Sequence, residues 1–309
     1  MSAPVSELKP VGSTDQPAEE EERPVSDRPR SGRTRSIRVW VAAVIVAVSL
    51  LAATFLVFEF GLTALTAARA QRELVRDFQD DVVAGTQTVE DWVPAPGQAI
   101  GLLSIERLGV ETAIIEGTTP DELERGVGHV RTTVLPGQIG NAALAGRRTT
   151  YGGPFGDLNE LQQGDAIVVT TGQGRFVYTV ARIGLVQPGQ LDVLGSTDDP
   201  RLTLVTADPA YAPSGRLVVV AALQGTPLPA AAARPTTLEA DELGTRGEPA
   251  ALGPTLLWFE LFLTTLVVVW LLRRRGFPGR VLWLLGLPIV VTLLWLSFEN
   301  ADRLLPGAL

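Results

Sequence analysis

Cysteine is absent from this chain of 309 residues. That absence excludes disulfides, thiolate metal centres and any cysteine nucleophile. Histidine occurs once, as His129. A mechanism needing imidazole, the commonest general base near neutral pH, must use that residue or do without it. No Gly-x-x-x-x-Gly-Lys motif or dinucleotide fingerprint occurs, so the glycine-containing PGQ and GQG turns are not phosphate loops. The formal net charge is −8, and the basic residues cluster beside apolar segments, which argues against a nucleic-acid partner. Arginine far outnumbers lysine, a bias that points to a GC-rich genome.

What the chain has in quantity is apolar sequence, 46% of its residues, unevenly spread. Residues 1–38 combine Pro, Ser and acidic residues with a basic run and read as a disordered cytoplasmic tail. Val39–Phe58 is 20 residues without a charge, enough to cross a bilayer core of about 30 Å. Residues 59–98 read as a juxtamembrane helix and linker, with Leu74 and Phe78 four apart. Residues 225–255 form a Pro- and Ala-rich linker. Two further apolar segments follow, 256–272 and 281–298, flanking the basic loop 273–280, with an external tail at 299–309. By the positive-inside rule the N-terminus and the arginine-rich loop are cytoplasmic. The expected protein therefore spans the plasma membrane three times, with its central domain outside. Glu260 then sits near the outer interface, where a carboxylate reaches water at modest cost.

Between the first and second spans lie short strand signals punctuated by Gly and Pro: Ala99–Ile105, Glu111–Ile115, Ala142–Ala145, Ala166–Thr171, Phe176–Ile183, Leu202–Val205 and Leu217–Leu223. Two short helices are expected among them, Pro120–Arg125 behind the N-cap Thr119, and Phe155–Leu161. The pattern predicts a mostly β domain over 99–224, a closed barrel of seven to eight strands. The segment Arg201–Val220 places an apolar strand end before a loop, where a hydrolase or acyl transferase could present a nucleophile. Ala207 occupies that place.

Two blocks within this domain resemble the sortases. One is GLLSIERLGVETAIIEGTTPDELERGVGHV, Gly101–Val130. The other is TTVLPGQIGNAALAGRRTTYGGPFGDLNELQQGDAIVV, Thr132–Val169. The second is similar to a family pattern close to LPGQ-x-GN-x-x-x-AGHRTTYG, and the whole looks closest to the class E or class D type of actinobacteria. The resemblance covers Ala99–Leu223. It implies a cysteine transpeptidase barrel that cuts a Leu-Pro-x-Thr-Gly-like sorting signal and passes the acyl group to an amine, joining proteins to cell wall or pilus. A Cys attacks, a His moves protons, and an Arg stabilises the developing oxyanion or holds the peptide.

Carried over residue by residue, the His slot is Arg147, in Ala145-Gly146-Arg147-Arg148, and the Cys slot is Ala207, after Thr203-Leu204-Val205-Thr206. The Arg slot is kept, as Arg216. Alanine cannot attack, and a guanidinium with a pKa above about 12 cannot act as a base at neutral pH. His129, in the Gly-Val-Gly-His turn, lies outside this triad and is expected to be structural. Thr206, Asp208 and Arg148 are candidates for lining the peptide groove, with Asp208 expected to pair with Arg147 or Arg216. The reading is a membrane-anchored pseudo-sortase that binds sorting-signal peptides, an active sortase, or surface and pilus proteins. Two other readings stand beside it. One is an active enzyme using Ser214, Thr149 or Thr206; the other is a structural protein of a membrane assembly. No cofactor or metal is implied, since Asp198 and Asp199 alone are too few for calcium.

Overall fold

The computed structural model describes residues 49–85, 87, 92–187, 190–210, 214–230, 234–237, 242, 251–302 and 304. The chain divides into two compact units, residues 1–50 and 51–309. Of the first, only residues 49 and 50 are described, so the expected tail and most of the first expected span lie outside the described residues.

In the second unit the chain is helical from residue 51, through a π-helical turn at Phe58–Leu62, into α1 (Thr63–Ala84). One apolar stripe of α1 is buried: Leu74 and Phe78 pack with Ala99, Ala113 and Ile115, the spacing of four placing both side chains on one face. Gln71 fastens the same helix, accepting from the N–H of Ala113 at 2.7 Å and donating to the carbonyl of Arg125 at 2.6 Å.

Eight strands then close a barrel: β1 (Ala99–Ile105), β2 (Val110–Glu116), β3 (Val127–His129), β4 (Asn141–Ala145), β5 (Ala166–Thr171), β6 (Gly174–Val186), β7 (Arg201–Asp208) and β8 (Gly215–Gln224). Their order around the barrel is β1-β2-β3-β4-β7-β8-β6-β5, sealed by β5 against β1. The β2–β3 and β4–β7 pairs are parallel. Closure removes the sheet edges that would otherwise seek partners. Alternate residues of each strand fill the interior, among them Leu103, Ile114, Leu144, Ile167, Tyr178, Leu202 and Leu204.

Between β2 and β3 runs α2 (Pro120–Arg125). Its start is a capping box: Thr119 and Glu122 satisfy each other's backbone N–H groups, and Pro120 fills the first helical position. Phe155–Leu161 differs from the helix expected there. Only Leu158–Glu160 is helical, and it is a 3-10 turn. Phe155, Leu158 and Leu161 are all buried, and a repeat of three suits a 3-10 turn, in which residues i and i+3 eclipse. Gly137, with φ +97°, makes a turn closed to other residues, because a Cβ there would fall 2.3 Å from the Phe176 ring.

Two helices among the described residues are long and apolar enough to cross a membrane, where three spans were expected: α3 (Leu252–Arg274) and α4 (Gly279–Asp302). Leu256, Leu257, Val267, Leu284 and Val291 are exposed on them. Pro288 lies inside α4, an interruption that spanning helices tolerate. The end of the first expected span meets the end of α4: Phe58 lies 5.0 Å from Trp295 and Phe55 5.1 Å from Phe298, edge to face.

Candidate active-site cleft

The ends of β4, β7 and β8 lie side by side, and their register decides what meets. Ala207 pairs directly with Arg216 across the antiparallel β7–β8 ladder. Directly opposed residues send their side chains to the same face. On the other side, β4 and β7 pair Ala145 with Val205, and the N–H of Gly146 donates to Val205 at 3.2 Å. Arg147 stands two residues past the end of β4, in the loop that Arg148 ties to the carbonyl of Ala207. Of the three positions singled out in the sequence, Ala207 and Arg216 thus stand in one row across adjacent strands, and Arg147 follows the end of β4. That row is on the outer face of the barrel, continuing a small cluster of Leu123, Ala145, Val205 and Val218 distinct from the interior core. Val193 and Leu194, from the 3-10 turn Leu191–Leu194, pack against the same cluster. Gly146 fits here because the Phe155 ring would stand 2.6 Å from any Cβ.

All three residues are buried. Arg147 donates to Oγ1 of Thr150 at 3.1 Å and to Oε1 of Glu124, on α2, at 3.4 Å. Its guanidinium also stands 4.8 Å from the centre of the Tyr151 ring, within cation–π range. Tyr151 holds φ at +53°, unusual for a bulky residue, and its N–H donates to Oγ1 of Thr63 at the start of α1. It also lines a cleft of about 500 Å³ with Ala67, Gln71, Arg125 and Asp157. Arg216 retains 5% of its exposure. Burial holds its guanidinium below the usual arginine pKa.

Asp208 pairs with neither Arg147 nor Arg216 as expected. Its carboxylate is held by Arg148, which also donates to the carbonyl of Ala207 at 2.9 Å and to Oδ1 of Asn159 at 2.9 Å. Arg148 thus ties the end of β7 to the loop after β4. Asp208–Pro209 is a cis peptide. Thr206 has no exposed surface and donates to the carbonyl of Gly146 at 2.8 Å. It shares the inward alternation of Leu202 and Leu204 and contributes nothing to the outer groove. Ser214 is exposed at the mouth of the β7–β8 loop.

The single histidine is elsewhere. His129 ends β3, fully buried, with Nδ1 2.8 Å from Oε2 of Glu116 and Nε2 2.9 Å from the carbonyl of Val134. Arg234 donates to Oε1 of Glu116 at 2.6 Å. Thr133 hands its own hydrogen to Val130 and stands 3.1 Å from Nε2. Sequence reasoning missed Glu124, Tyr151, Glu116 and Arg234, whose contacts cross loops and carry no local signature.

A sortase domain family model matches residues 103–224. The chain is 33% identical to the putative sortase YwpE of Bacillus subtilis over 81 residues, which span 26% of this chain and 79% of that protein. The chain belongs to the sortase family. The chain is also 32% identical over 181 residues to sortase SrtE1 of Streptomyces coelicolor, covering 53% of this chain and 51% of the relative. This protein therefore spans about half the length of that curated sortase. Among solved structures, a sortase D5 transpeptidase of Clostridium perfringens matches at 32% identity and a TM-score of 0.47, covering 51% of this chain and 99% of that one.

Proposed function

We propose that this protein is a membrane-anchored pseudo-sortase, which keeps the barrel and peptide groove of its family and has lost the chemistry. One observation carries the reading: the methyl group of Ala207 stands opposite the cation Arg216, and the His slot past the end of β4 is the cation Arg147, so the three slots hold neither nucleophile nor base. A thioacyl intermediate needs a sulfur, and the chain contains no cysteine. Arginine at position 147 stays charged and cannot accept a proton at neutral pH. What the row retains is the capacity to hold a peptide carbonyl against Arg216 over an apolar floor. The ligands are Leu-Pro-x-Thr-Gly-like sorting-signal peptides, or the surface proteins and active sortases that meet them.

The protein sits in the plasma membrane with the barrel outside. The contact of Phe55 and Phe58 with Trp295 and Phe298 supports this topology. Charge distribution assigns both of those helix ends to the outer side. The test uses the full chain in detergent, a fluorogenic Leu-Pro-x-Thr-Gly-like peptide and an amine acceptor. No turnover is expected, together with saturable peptide binding. Turnover abolished by Ser214→Ala would replace this reading with an enzyme using a hydroxyl nucleophile. Absence of binding at millimolar peptide would remove the groove.

A further inference from the structure

At and just past the ends of β4, β7 and β8 stand the guanidinium groups of Arg147, Arg148 and Arg216 and the carboxylates of Glu124 and Asp208. Glu124 is committed to Arg147, and Asp208 to Arg148. Arg216 is left over. It is 5% exposed, its Nε has no hydrogen-bond partner, and no ion pair reaches it among the described residues. A buried charge without a counter-ion is costly, and such an exception calls for an explanation. Directly opposite, Ala207 offers only a methyl group, so the β-strand partner on that face supplies neither acceptor nor acid.

We propose that this row is a receptor for a free α-carboxylate: the ligand is a peptide that ends there, with its terminal carboxylate against Arg216. A neutral carbonyl satisfies a donor but leaves the charge; a carboxylate satisfies both, and guanidinium–carboxylate bonds are among the strongest available. The surroundings suit a short, partly apolar peptide, since Ala145, Val205 and Val218 on the same face form an apolar cluster against which Val193 and Leu194 pack. Inference and groove are linked, because this one rests on the peptide-binding reading and sharpens it from an internal signal to a chain end. The occupant is then an already cut peptide, the output of a hydrolytic or transpeptidation step carried out by another protein.

Three peptides titrated calorimetrically into the full chain in detergent at pH 7 decide the matter: Leu-Pro-Ala-Thr as the free acid, the same sequence as a carboxamide, and the sequence extended by Gly-Gly. The free acid should bind at least about tenfold more tightly than the other two, the size of one charge-assisted hydrogen bond. That preference should disappear in Arg216→Gln; its persistence there overturns the proposal. Equal affinities for acid and carboxamide also overturn it, while leaving the peptide-binding reading intact. Failure of all three peptides to bind sinks both. If Arg216→Gln does not fold, Ala207→Asp serves instead. It sets a carboxylate of the chain's own opposite Arg216, so the preference should vanish, and an unchanged preference is fatal to the proposal.

Discussion

Two buried polar clusters in this molecule have opposite characters. Around His129 the charges are paired: Glu116 receives both Arg234 and the imidazole, and the second ring nitrogen meets Val134 and Thr133, leaving only Nη1 of Arg234 without a partner among the described residues. On the outer face Arg216 is also buried, but its Nε has no partner and no ion pair reaches it among the described residues. Buried polar groups are nearly always paired, and each exception calls for an explanation. The paired cluster fixes structure, tying β2, β3 and the segment beyond the barrel. The other is where the proposed peptide carboxylate would complete the charge. The lone histidine of a family built on histidine chemistry thus belongs to the scaffold, and the site belongs to arginine.

The largest effect separates these two clusters directly. Glu116→Gln leaves Arg234 and His129, 3.1 Å apart, without their shared carboxylate. Breaking a buried pair in this way should cost about 3–5 kcal/mol. Arg216→Gln removes an uncompensated buried charge and should leave stability unchanged or raise it. Thermal unfolding of the full chain in detergent, followed by tryptophan fluorescence, compares the two. Similar losses would mean that Arg216 is a structural group, and the contrast between clusters would fail.

Much of this was legible in sequence, for physical reasons. The barrel strands alternate and end at Gly or Pro, so β1 and β5 were read to the residue and β8 within two residues at its start and one at its end. β3 was missed because three residues, Val127–His129, are too few to show a period. Arg147, Ala207 and Arg216 came from resemblance, which supplies positions but not partners. The partner of Arg147 is 23 residues away, and Arg234 reaches back 118 residues to Glu116 from a Pro- and Ala-rich stretch that reads as a linker. Those contacts depend on how the barrel closes, and nothing local announces them.

The interior has a limit of its own, set by pH. Tyr178 is buried in the barrel and accepts the N–H of Gly137 at 2.7 Å. Burial pushes its hydroxyl up to about 12, against about 10 for an exposed tyrosine. The folded state therefore favours the neutral phenol. Its contribution is complete below pH 10 and is lost as pH rises towards 12, by roughly 3 kcal/mol in all. Tyr178→Phe should remove that loss, flattening the alkaline limb of a stability–pH curve at the price of one hydrogen bond. An unchanged alkaline limb would place the sensitive group outside the barrel interior.

The smallest effect lies between the two clusters, at the start of α2. Glu122 is buried, and desolvation raises its pKa above the ordinary value even though Thr119 bonds to its ionised form. A carboxyl raised in the fold favours its neutral form. The stability it confers is full below the unfolded value near 4.5 and is lost as pH rises through the folded value. Glutamine keeps the capping geometry and carries no charge. Glu122→Gln should therefore shift stability at pH 7 by less than about 1 kcal/mol while removing the acid-side slope, read from thermal unfolding at pH 5 and pH 7.5. A loss much larger than that would mean that the cap depends on the charge itself. α2, which carries the Glu124 partner of Arg147, would then be held by electrostatics as well as by the cap, and the cleft would be coupled to pH through its own supporting helix.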